Sequence, residues 1–239
     1  MALRFHRVLI FLLVTKALSA PGAALSPSSE QAHRQDSSAP ELQAAALEHA
    51  RALMERTRAA RYPELQAAQI QLRLFESTSD FFQARPRLPD FFFRKKLRYV
   101  IRVNPKAYDL RVPESAVEAI IAHELSHVAY LKQQNRVRLL TMIRLLCRGY
   151  ARDFERRADL DAISRGYGNG LRVYREWLYQ HVSTNNLSKK RRNYFSPDEI
   201  DSVLQGLHQC PQLLDSWFKK PPRDIRETQH RPLKICAEQ

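Results

Sequence analysis

His123-Glu124-Leu125-Ser126-His127, within the run from Pro113 to Leu131, decides how this chain is read. Val117, Ile120, Ile121, Leu125, Val128 and Leu131 recur around it at helical spacing. Pro113 and Glu114 suit a helix entry, and Ser115-Ala116-Val117-Glu118 has the form of a capping box. The pattern predicts a helix over 114–132. Residues four apart share a helix face, so His123 and His127 can reach one metal ion. Glu124 between them is placed to act on a metal-activated water.

Zinc in a hydrolytic site keeps three protein ligands and one open position. A carboxylate from a second helix would complete the set. Twenty-seven residues separate His127 from Glu155-Arg156-Arg157-Ala158-Asp159, which lies in a stretch from Tyr150 to about Ser164 that reads as helical. Glu155 is the candidate third ligand. Asp159, one turn on, can accept the free N–H of a ligand imidazole and fix its tautomer. Ala158 is small enough for close helix contact, and Arg156 and Arg157 should point away from a cation. One Zn2+ is the expected cofactor, with Glu124 as general base. An H-E-x-x-H match also arises by chance on an ordinary polar helix face. The amphipathic helix, the preceding strand and the acidic pair weigh for the metal. Tyr179, His181, Tyr194 or a nearby arginine are candidate oxyanion donors, although such residues are more often packed or on the surface. His33, His49, His208 and His230 show no ligand spacing.

These residues carry a family resemblance. His123-Glu124-Leu125-Ser126-His127 with Glu155-x-x-Ala158-Asp159 resembles the gluzincin zinc metallopeptidases, in particular the group of the CAAX prenyl endopeptidase and the HtpX peptidase. The resemblance covers roughly 77–177, the catalytic core alone. It implies that His123, His127 and Glu155 bind zinc, that Glu124 is the catalytic base and that Asp159 supports a histidine ligand. It also implies that the strand before the motif helix aligns an extended polypeptide substrate. The chain departs from the group in lacking multiple membrane spans and in having Ser126 where glycine is usual.

The remaining sequence points to an α+β fold, a mostly helical zincin-like domain with a small edge β-sheet before the motif helix. Glu41 to Arg61 reads as a helix between Pro40 and Pro63. Ile70, Leu72 and Leu74 alternate with polar residues, and in the strand Leu97–Val103, Leu97, Tyr99, Ile101 and Val103 alternate with Arg98, Val100 and Arg102. Phe81 to Leu88 is a third extended piece, and the prolines nearby suggest edge strands. Val137 to Cys147 reads as an apolar core helix too short to span a bilayer. Gly166, Gly168 and Gly170 read as a turn, Leu171 to His181 as a helix and Lys189–Arg192 as a basic loop. Ser196-Pro197-Asp198-Glu199 opens a further helix with a capping box.

The domain reading is a signal peptide at 1–20, a flexible leader at 21–40, the metallopeptidase domain at 41–209 and a C-terminal surface tail at 210–239. Arg4 and Arg7 precede a short apolar run, Val8 to Val14, followed by small residues. That pattern predicts export to a periplasmic or extracellular location. Cys210 and Cys236 could then pair, leaving Cys147 as a buried thiol. The net charge of +14 suits anionic partners, such as a membrane surface, with the protein membrane-peripheral, or a cell-envelope polymer. Export disfavours nucleic acid. The expected function is an exported zinc endopeptidase. The competing reading is an inactive zincin-fold binding protein that holds anionic lipid or polymer on its basic surface.

Overall fold

A computed structural model describes residues 29–87, 90, 97–134 and 148–229. The signal peptide at 1–20, the helix at 137–147 and Cys236 lie outside the described residues. The chain divides into two compact units after Ser38. Of the first, 29–38 is helical backbone. Each strand, and every described helix after the first, lies in the second.

The protein is α+β and mostly helical, with one small sheet. Helix α1 is Ser29–Arg61. It begins well before the expected Glu41 and runs through Pro40, so the described part of the 21–40 leader is helical. Ala50, Leu53 and Met54 on its later turns are buried. Three strands come next: β1 (Gln69–Leu74), β2 (Phe82–Pro86) and β3 (Arg98–Val103). Their order is β1-β3-β2, with β3 parallel to β1 and antiparallel to β2. The strand before the motif helix is therefore central, not an edge. Tyr99, Val100, Ile101 and Val103 are all buried in it and no proline interrupts it, which is what a middle strand requires. Pro86 instead ends β2, a true edge strand.

After a short α2 (Lys106–Asp109) comes the motif helix α3, Glu114–Gln133. The expected capping box is absent. Pro113 is the N-cap and no side chain caps the helix; Ser115 lies two residues inside the N-cap. Glu118 pairs with Arg56 of α1 instead. Ala116, Val117, Ile120, Ile121, Leu125 and Val128 are all at most 3% exposed. Such all-round burial marks a helix at the centre of a domain. The sheet lies over it, and Phe81 and Phe82 at the head of β2 meet Trp177 and Tyr174 at ring-centroid distances of 4.8 and 6.3 Å.

Helix α4 is Arg148–Ala162 and α5 is Gly168–His181, with a kinked turn between them. Only Gly166 makes the turn, at φ 98°, a conformation glycine adopts at little steric cost. Gly168 and Gly170 belong to α5. A Cβ on Gly170 would lie 2.4 Å from Ser115 O and 2.9 Å from Ala119 Cβ, so the glycine lets α5 close on α3. Gly170→Ala should cost roughly 1–3 kcal/mol through overpacking. A lowered thermal midpoint would show it, and an unchanged midpoint would mean that the two helices separate freely there.

The basic stretch is not a loop but part of α6, Thr184–Asn193. It contains no glycine or proline, lysine and arginine are good helix formers, and Lys190, Arg191 and Arg192 in its last turn complement the helix dipole. Helix α7, Pro197–Gln209, has the expected capping box between Ser196 and Glu199. The segment after Cys210 is not a surface tail throughout. Helix α8, Leu213–Lys219, buries Leu213 and Trp217 completely. Its two-turn apolar pattern is masked in sequence by Pro211, Pro221 and Pro222. Cys210 is 5% exposed and disulfide-bonded. No helix among the described residues is long and apolar enough to cross a membrane.

Candidate metal centre

The buried centre of α3 and the middle and last turns of α4 bring five polar side chains together. His123 Nε2 lies 3.3 Å from Glu155 Oε2, and His127 Nε2 lies 3.0 Å from the same oxygen. One ligand atom from each of the three falls within 4.8 Å of the others. Tetrahedral zinc bonded at 2.0–2.1 Å sets its ligands roughly 3.3 Å apart, so the spacing fits a divalent cation. Among the described residues, this is the one group of three such side chains that can hold a metal ion. His123 and His127 are 1% and 6% exposed. The same spacing also satisfies a direct hydrogen bond between His127 Nε2 and Glu155 Oε2.

Asp159 meets the other nitrogen of His123: its Oδ1 lies 2.8 Å from Nδ1, off the ring N–H axis. Nδ1 is thereby engaged and Nε2 turned to Glu155. Asp159 is itself held by two further donors. Arg175 of α5 donates from Nη2 to Oδ1 at 2.7 Å, and Phe195 N–H donates to Oδ2 at 3.0 Å. Both Asp159 and Arg175 are at most 1% exposed. The Gly166 turn redirects the chain so that α5 packs on α3 with Arg175 beside Asp159.

The carboxylates favour positive charge on His123. Burial works against a charged His123, yet Asp159 and Glu155 carry its pKa up to about 9. Burial would raise Glu155, but His127 and His123 hold it below the usual carboxylate range. Asp159 is likewise lowered against its burial, chiefly by Arg175 and His123. Glu124 is pushed up, first by burial and further by the charge of Glu155. Its Oε2 accepts from Ala84 N–H. The base candidate is thus seated against the edge strand, and sheet and helix are in direct contact at this point. A cavity of about 240 Å3 opens between α3 and α4, beside His127, Tyr130, Phe154 and Arg157.

Arg156 and Arg157 point away from the centre, as expected. Arg156 donates to Glu199 and to Pro222 O, and Arg157 to the carbonyls of Phe218 and Lys219. Ser126 is explained by packing: its hydroxyl donates to Ala122 O and bonds Tyr62 Oη. Of the oxyanion candidates, only Tyr194 reaches the centre, its ring 5.9 Å from that of His123. Burial, with the charge of Glu155, raises its pKa well above the usual tyrosine value. Tyr179 lies against Arg191 and His181 stacks on Trp177. Three participants were not read from sequence: Arg175, Ala84 N–H and Phe154, which stacks on His127 at 4.4 Å. A signal for Arg175 existed. It falls at helical spacing with Leu171 and Leu178, on the apolar face where a cation needs a buried partner.

Glu155→Ala should weaken zinc binding by more than about 100-fold, the upper range for losing a group that only touches a ligand. Chelator competition measures it, and a change under tenfold would remove Glu155 from the ligand set. Comparison with known protein families, with curated proteins and with solved structures finds no match to this chain.

Proposed function

We propose that this protein is an exported, zinc-dependent endopeptidase of gluzincin type. The observation that carries the reading is the approach of His123 Nε2 and His127 Nε2 to one oxygen of Glu155, at 3.3 and 3.0 Å, with Glu124 on the same helix. The ion held there would be Zn2+, since two imidazoles and a carboxylate with an open position suit it. When bound, zinc would supply a Lewis acid that polarises the scissile carbonyl and acidifies water.

The chain's own residues perform the rest. Glu124 accepts a proton from the attacking water, whose oxygen adds to the carbonyl carbon. The C–N bond then breaks, and Glu124 passes the proton to the leaving amine. Its raised pKa suits a group that must take up and release a proton. Glu124 Oε2 accepts from Ala84 N–H on the outer edge of β2, which leaves Oε1 to exchange the proton. Asp159 and Arg175 keep His123 in one orientation. We assign the donor to the developing oxyanion to Tyr194, a reading supported by its ring lying 5.9 Å from that of His123. Export is supported by the composition of 1–20 and by the disulfide at Cys210, which fits an oxidising compartment.

The test joins elemental analysis of the purified protein to digestion of an unbiased peptide mixture. About one zinc per chain, with internal cleavage that a chelator stops and zinc restores, is the expected result. Stoichiometric zinc with no cleavage of any peptide would leave a metal protein that is not a peptidase.

A further inference from the structure

The outward face of the sheet carries a cluster of cations with no counter-charge among the described residues. Register sets Arg73 of β1 beside Arg102 of β3, with Gln83 of β2 on the other side of Arg102 and Arg85 two residues along from Gln83. Side chains alternate along a strand, so these residues face away from Tyr99, Ile101 and Val103 in the core. Arg73 and Arg85 are exposed and Arg102 is half-buried. Strands lie about 4.8 Å apart and alternate residues about 6.8 Å apart, so the three guanidiniums arise from one small patch. Gln83 Oε1 accepts from both Arg85 and Arg102, which draws two like charges onto one amide oxygen. Arg102 also lies over the Phe75 ring, 4.3 Å from its centroid. Arg98 on the same face differs, because Asp90 holds it through two hydrogen bonds. Gln69, Gln71 and Val100 fill the remaining outward positions, and none is acidic. Among the described residues no carboxylate meets Arg73, Arg85 or Arg102.

Like charges set side by side across strands destabilise a sheet. This cluster therefore weakens the fold unless an anion covers it. We propose that the outward face of the sheet docks the protein on an anionic lipid surface. A single small anion would gain little on so open a face, since exposed charges are screened. A two-dimensional array of headgroups meets a flat sheet at all three guanidiniums at once. Single-stranded nucleic acid would call for aromatic platforms, and the one outward ring, Phe75, is buried under Arg102. The metal chemistry plays no part in this docking, and the two are linked only by position. β2 carries Arg85 on this face and Ala84 beside Glu124, so a docked protein would hold the candidate centre close to the membrane.

The test is cosedimentation of the full chain with vesicles of phosphatidylcholine alone and with about one third phosphatidylserine, at low and high salt. Binding only to the anionic vesicles, lost at high salt, is expected. Each arginine near such a surface contributes roughly a fivefold factor in affinity. The triple variant Arg73→Gln, Arg85→Gln, Arg102→Gln should therefore bind about 100-fold more weakly. Lys189→Gln, Arg191→Gln, Arg192→Gln on α6 removes the same charge elsewhere and should bind far better than the sheet variant. If the triple variant does not fold, Arg73→Gln alone, at an exposed position, should still lose about fivefold. No vesicle binding, equal losses in both triple variants, or tighter binding to a polynucleotide through the same three arginines would each overturn the assignment.

Discussion

Glu124→Gln should retain zinc at full stoichiometry and lose hydrolysis by a factor of about 10²–10⁴, the usual contribution of a positioned general base. The amide keeps the size and shape of the carboxylate, so packing around this 4%-exposed side chain is preserved. It can also still accept from Ala84 N–H through its carbonyl oxygen. What it cannot do is take a proton. The ligand nitrogens and Glu155 are untouched, so metal content separates lost chemistry from a lost site. Metal analysis with initial rates on a cleaved peptide gives both readouts. Turnover equal to that of the parent would remove the mechanism, even if zinc were bound.

Asp159→Asn should show the opposite division between metal and fold. It removes the charge that faces His123 at 2.8 Å and leaves Arg175 buried without its carboxylate. Breaking a buried ion pair from one side costs about 3–5 kcal/mol, and losing the partner of a ligand imidazole weakens metal binding about 10- to 100-fold. The second change Arg175→Met separates the two effects. With the stranded cation gone, Asp159→Asn with Arg175→Met should recover most of the stability measured by denaturant unfolding. Zinc affinity should stay low, because His123 still lacks its orienting acid. Recovery of both would mean that Asp159 serves only to neutralise Arg175.

The helix carrying His123 and His127 was legible because its apolar residues recur every three to four positions, and that signal is local. Glu155 and Asp159 were legible for the same reason, as an i, i+4 pair on a second amphipathic stretch. Boundaries and caps were less legible. Ser115 and Glu118 look like a capping box, but Glu118 is drawn to Arg56, a residue far off in sequence. Lys189–Arg192 looks like a solvated loop because its charge hides a helix. Leu213 and Trp217 look like surface residues because prolines flank them.

By itself the sequence determined which side chains can share a helix face, and hence that two imidazoles and a neighbouring acid stand ready for one ion. Only the tertiary structure decided that Glu155 points at both Nε2 atoms, that Asp159 takes His123 from the other side, and that Arg175 secures Asp159. It also decided that β3 lies in the middle of the sheet and that three arginines gather on the sheet's open face. The physical reason is range. Periodicity reports contacts within one element, whereas a ligand set, a buried ion pair and a strand order join elements that meet only once the core has closed.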